Sequence, residues 1–172
     1  MFMKAFLVAL IAGICKIDNR IFGMTMIQRP LIVGTLVGFI YGNPVEGMII
    51  GAQFELLSMG LVGIGAHAGM PEITLGSALC TGFVLGSGTG TEVALALPIS
   101  TFGTTIGYLT WIPLNHLLSE RAKRAAEDGN TRTMEICQWM GLFNYFFFPF
   151  LVVLLGMLVG APLFEYLIKV IP

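Results

Sequence analysis

Charge is what this sequence has least of. Only 11% of its 172 residues are charged, against 56% hydrophobic, and the net charge is −1. A soluble domain carries about 25% charged residues, so this list cannot clothe a water-facing surface, and an integral membrane protein is expected. Cysteine is scarce as well. Cys15, Cys80 and Cys137 show no C-x-x-C spacing, which leaves neither a disulfide frame nor a zinc site. The two histidines lie far apart with no H-E-x-x-H pattern, so no metal and no cofactor are expected. A near-neutral chain with one modest basic cluster does not suit nucleic acid as a partner. Nor is there a phosphate loop, a nucleophile arrangement or a paired acid and base at motif spacing, so no catalytic residues are assigned and an enzyme is not expected.

What the chain does have is uncharged length. Residues 30–45, 56–71, 73–91, 93–119 and 136–164 contain no Asp, Glu, Lys or Arg, and the last two runs exceed the ~20 residues that a spanning helix needs. The N-terminal MFMKAFLVALIAGIC has the look of a signal peptide but no small-x-small site before Cys15, and reads as a retained first helix. Its polar continuation, Lys16 to Arg29, either snorkels at the membrane surface or bends back toward the interior.

Gly34, Gly38 and Gly42 recur on one helical face, a spacing that lets two backbones approach closely where lipid offers no hydrophobic drive. Asn43, Pro44 and Glu46 form a helix start, with an Asn cap, Pro at the first position and Glu at the third. Thr89 and Glu92 repeat that pattern before the next long run. Residues 60–71 are too glycine-rich for a good uninterrupted helix, and irregular backbone at membrane depth must be buried or line a cavity. GFIYG at 38–42 is echoed by GFVLG at 82–86, which fits a repeated helix-break-helix hairpin. Pro98 and Pro113 predict either one kinked span or a span with an attached surface turn, and Pro149 predicts a kink in the last span. The expected architecture is an all-α, polytopic transmembrane protein with short, Gly/Pro-interrupted helices, re-entrant or hairpin, in one domain over 1–172. The basic loop 119–132 is expected on the cytoplasmic side.

The candidate site residues are the polar side chains inside the apolar stretch 43–72. Glu55 stands eleven residues inside the helix that starts at Pro44, on a stripe with Gly51 and Ser58. An acid there either meets a polar guest, or is neutralised by burial, or pairs with Lys or Arg of a neighbouring helix. Glu72, in a first helical turn after Pro71, Gln53 on another side of the Glu55 helix, and His67 complete the set. Glu46 and Glu92 are explained by capping, and His116 by an interfacial position.

The stretch RPLIVGTLVGFIYGNPVEGMIIGAQFELLSMGLVGIG, then a Pro-acid pair, LALPIS and the Glu-Asp-Gly-Asn loop at 127–130, resembles the C component of the mannose/fructose/sorbose family of phosphotransferase-system sugar permeases. The resemblance runs from about Gln28 to about Pro172. It implies a multi-pass subunit of the bacterial cytoplasmic membrane that binds and translocates a hexose or related sugar. It further implies a D-component membrane partner, soluble A and B components that carry the phosphoryl group, and a homo-oligomer of the C–D pair. On this likeness Glu55 and Glu72 fall near the sugar, with Gln53 and His67 as further contacts. Two departures stand out: Gln53 occupies a place where the family has a small or Thr-like residue, and the chain is shorter than family members, which implies a truncated or short form. The alternative is a non-transporting assembly or receptor subunit of a membrane complex, its glycine faces serving only to pack against a partner.

Overall fold

The Asn43 start forms as its residues dictate. Asn43 Oδ1 accepts from the Glu46 backbone N–H at 3.4 Å, its Nδ2 donates to Glu46 Oε2 at 2.6 Å, and Pro44 opens the helix. In the computed structural model, which describes residues 2–21, 23, 25–60, 73–87 and 93–170, every element is helical. These are α1 (Phe2–Ile21), α2 (Pro30–Tyr41), α3 (Pro44–Gly60), α4 (Ile73–Ser87), α5 (Val93–Glu127), α6 (Thr131–Leu155) and α7 (Ala161–Val170), with a π-helical turn, Gly156–Gly160, joining the last two.

Glycine sets the closest approach in the bundle. Helices α2 and α3 form an antiparallel hairpin in which Gly34 and Gly38 lie against Gly47 and Gly51. A Cβ on Gly34 would stand 2.5 Å from the Gly47 carbonyl oxygen, and one on Gly51 2.6 Å from that of Pro30. Gly42 does not belong to this face. It sits just past the end of α2 at φ +84, where its N–H and that of Asn43 bond back to Phe39 and Gly38 carbonyls. The every-fourth pattern therefore divides into two packing glycines and one left-handed terminator.

Helix α4 is the centre: every residue from Thr74 to Val84 is buried. At 15 residues it is about 22 Å long, less than the ~30 Å of a hydrocarbon core, and so is shorter than a full crossing. The π turn fits against it because Gly156 and Gly160 leave room for the side chains of Leu79 and Phe83, which occupy the places their Cβ atoms would take. GFIYG and GFVLG each close a helix, α2 and α4, and they end side by side, with Gly86 near the Tyr41 ring. Helix α1 runs antiparallel to α6, with Gly13 on Phe146, Phe6 edge-on to Phe150 at 5.5 Å and the Arg20 guanidinium 4.9 Å over the Tyr145 ring.

The segment 119–132 departs from the expected loop. It continues α5 to Glu127, turns through Asp128, Gly129 (φ +67) and Asn130, and starts α6 at Thr131. Arg, Lys and Ala favour helix, so only the glycine and the Asn130 cap break it. Pro98 and Pro113 both lie inside α5, which runs from Val93 to Glu127 without a turn at either proline.

Among the described residues one stretch, Thr131–Phe164, is long and apolar enough to cross a membrane, with a mean hydropathy of 2.4 in its best window and only 17% of that window buried. A core helix of a soluble protein would be mostly covered. Phe102 and Trp139, each 71% exposed, extend the greasy exterior that a membrane protein presents to lipid.

Candidate functional site

The glycine register of the α2–α3 hairpin leads directly to Glu55. Gly47 and Gly51 face α2 one turn apart, and the next residue on that stripe is Glu55; on α2 the opposing row descends through Gly38 and Gly34 to Pro30. Arg29, the residue before Pro30, therefore meets Glu55, and its Nη1 donates to Glu55 Oε1 at 2.6 Å. Of the readings open for this acid, pairing with an arginine of a neighbouring segment is the one observed. The carboxylate side chain is 17% exposed and the guanidinium 48%. The guanidinium has five N–H donors, so one edge can hold Glu55 while another faces outward.

Two further contacts tie the α1–α2 connection at the same end of the bundle. Thr25 donates its hydroxyl to Asp18 Oδ1 at 2.5 Å, and Thr74, at the start of α4, donates to the Gln28 carbonyl at 3.0 Å. Asp18 is 1% exposed, while Arg20, Thr25 and Arg29 are exposed, so of these residues in the polar continuation of α1 only Asp18 turns into the protein. Asp18, Thr25, Gln28, Arg29, Glu55 and Thr74 thus form a polar cluster where α1 ends and α2 and α4 begin.

Of the sequence candidates, only Glu55 lies in this cluster among the described residues. Gln53 is exposed on another side of α3. Glu72 and His67 lie outside the described residues, as do Thr89 and Glu92. Asp18, Thr25 and Thr74 were missed, because nothing in their spacing links them. Arg29 could have been found by extending the antiparallel glycine register one turn.

A described cavity lies elsewhere. It holds about 260 Å³ at the opposite end of the bundle, between Lys4, Tyr41, Gly82, Phe83, Met157 and Phe164, with the Lys4 ammonium 4.8 Å over the Tyr41 ring. No group of His, Cys, Asp and Glu among the described residues is arranged to hold a metal.

The family model for the sorbose-specific IIC component of the phosphotransferase system matches residues 2–172. The chain belongs to this family. It is 33% identical to the mannose-specific EIIC component of Escherichia coli K12 over 127 residues, which is 73% of this chain and 46% of that protein. It is 32% identical to the fructose permease IIC component of Bacillus subtilis over 134 residues, 76% of this chain and 47% of the relative. The chain thus spans about half the length of these relatives. Among solved structures, a chain of the mannose transporter ManYZ in complex with microcin E492 matches the whole of this chain over 69% of its own length, with a TM-score of 0.77 and 26% identity. A structure described only as a membrane protein matches equally well, with a TM-score of 0.76 at 26% identity. The all-helical membrane fold and the sugar-permease family expected from the sequence are both found.

Proposed function

We propose that this chain is the carrier subunit of a bacterial sugar phosphotransferase system, binding a hexose or related sugar and moving it across the cytoplasmic membrane while soluble A and B components phosphorylate it. The observation that carries the reading is the match of the sorbose-specific IIC family model to residues 2–172; with Glu55 paired to Arg29, the half-exposed outer face of that arginine is where the pair meets sugar. Sugar hydroxyls both donate and accept, and an arginine beside a carboxylate offers both complements; a site built this way rejects analogues that lack the hydroxyls. The pair acts as a unit, with Glu55 accepting and the outer edge of Arg29 donating. Glu72, His67 and Gln53 are assigned as further contacts. Relatives named for mannose, fructose and sorbose supply the substrate class.

The same reading makes the chain multi-pass, pairs it with a D-component membrane subunit in a homo-oligomer of C–D pairs, places 119–132 in the cytoplasm and leaves phosphoryl transfer to the partners. The rival, a non-transporting assembly subunit docked through its glycine faces, has less support, since Gly34, Gly38, Gly47 and Gly51 are already covered by the chain's own hairpin.

The test is uptake and phosphorylation of mannose, fructose and sorbose by cells carrying the chain with its A, B and D partners. Glu55→Gln should raise the KM for the transported sugar roughly tenfold, the order expected for losing a hydrogen bond to a charged group. Undiminished phosphorylation with unchanged specificity would remove Glu55 from the site.

A further inference from the structure

Asp18 stands where a carboxylate is costly. It lies in the last turn of α1, at the negative end of the helix dipole, and is 1% exposed. Its Oδ2 is buried and meets no hydrogen-bond donor among the described residues. An apolar residue would fill such a place at less cost, so packing does not account for an acid here. What Asp18 does is hold Thr25, through Oδ1.

Thr25 opens a short turn. Met26 is held at φ +66, a left-handed conformation that costs an L side chain energy, and Gly23 before it has φ +80. The Met26 carbonyl accepts from the Arg29 N–H at 3.0 Å, and Arg29 reaches Glu55. The chain of contacts is continuous: Asp18 to the Thr25 hydroxyl, through the strained Met26 turn to the Arg29 backbone, and from its guanidinium to Glu55. A turn in an unfavourable conformation persists only where its surroundings over-determine it. The Asp18–Thr25 bond supplies one anchor and the Thr74–Gln28 bond the other.

We propose that Asp18 is a positioning residue of the sugar site. Acting through Thr25, it fixes the α1–α2 connection so that the Arg29 guanidinium is presented to Glu55 and, on its outer edge, to sugar. This rests on the reading of Arg29 and Glu55 given under Proposed function. Asp18 touches no substrate itself.

Because Asp18 is fully buried, changing it would test folding as much as positioning, so the decisive variants are at exposed Thr25. The chain is expressed with its A, B and D partners, and two quantities are read. The first is the labelling rate of Ile27→Cys, an exposed position in the turn, by a water-soluble maleimide, with the unsubstituted chain and its buried cysteines as background. Thr25→Val should speed labelling roughly tenfold, by loss of a hydrogen bond to a charged acceptor, and Thr25→Ser should restore the parent rate. The second is uptake kinetics for mannose, fructose and sorbose: Thr25→Val should raise KM several-fold at unchanged maximal rate and membrane abundance, and Thr25→Ser should reverse it. Unchanged labelling in Thr25→Val overturns the proposal, as does faster labelling with an unchanged KM in a parent that transports. A parent that takes up none of the sugars sinks the carrier reading instead, and the labelling arm alone then decides whether Asp18 holds the turn.

Discussion

Arg29 Nη1 and Glu55 Oε1 meet at 2.6 Å across 26 residues of sequence, at the open end of the α2–α3 hairpin. With one partner about half exposed and the other mostly covered, the pair falls between a surface ion pair and a buried one. Its coupling should therefore be about 1–2 kcal/mol, above the typical surface value and below the cost of stranding a fully buried charge. A double-mutant cycle of Glu55→Gln, Arg29→Gln and the double variant, read by thermal unfolding in detergent, gives this number. Strict additivity would show that the contact contributes nothing.

Glycine substitutions should sort by what surrounds each Cβ. Gly34→Ala and Gly51→Ala place a methyl group within 3 Å of the facing backbone, which cannot swing aside, and should destabilise by roughly 1–3 kcal/mol. Gly103 in α5 and Gly141 in α6 have nothing within 4 Å, so Ala there should be neutral or stabilise by up to ~1 kcal/mol through helix propensity. Equal loss of thermal stability at all four sites would contradict the packing described.

The turn between α5 and α6 depends on Asn130, whose Oδ1 accepts from the Thr133 N–H at 3.2 Å. Asn130→Ala should cost about 1 kcal/mol and raise amide exchange in the first turn of α6. Exchange that is unchanged at Thr133 would mean that the cap does not hold the helix end.

The topology can be read from one residue. Ala126, exposed beside Arg121, Lys123 and Arg124, should as Ala126→Cys resist a membrane-impermeant maleimide in intact cells and react after the cells are opened. Labelling in intact cells would reverse the proposed orientation.

Much of the local structure was legible because it is written in neighbouring residues. The Asn43–Pro44–Glu46 start acts over one helical turn, so sequence alone places it, whereas Gly42, read with the packing glycines, ends α2 instead. The 119–132 segment misled for a related reason: its charge signals exposure to water, and exposure does not distinguish a solvated helix from a loop. The packing role of Gly34 and Gly38 was readable, but not which helix they would meet.

Composition determined by itself that this chain belongs in a membrane, because too few charged side chains exist to face water, and its motifs carried the permease family. Which polar groups meet was decided only by the tertiary structure. Glu55 could have met a polar guest, been neutralised by burial or been paired; the antiparallel glycine contact fixes the hairpin register and so delivers Arg29 to it. Asp18, Thr25 and Thr74 come together for the same reason: contacts between segments depend on how helices cross, and that crossing is set by shape complementarity along whole faces rather than by any residue's own spacing.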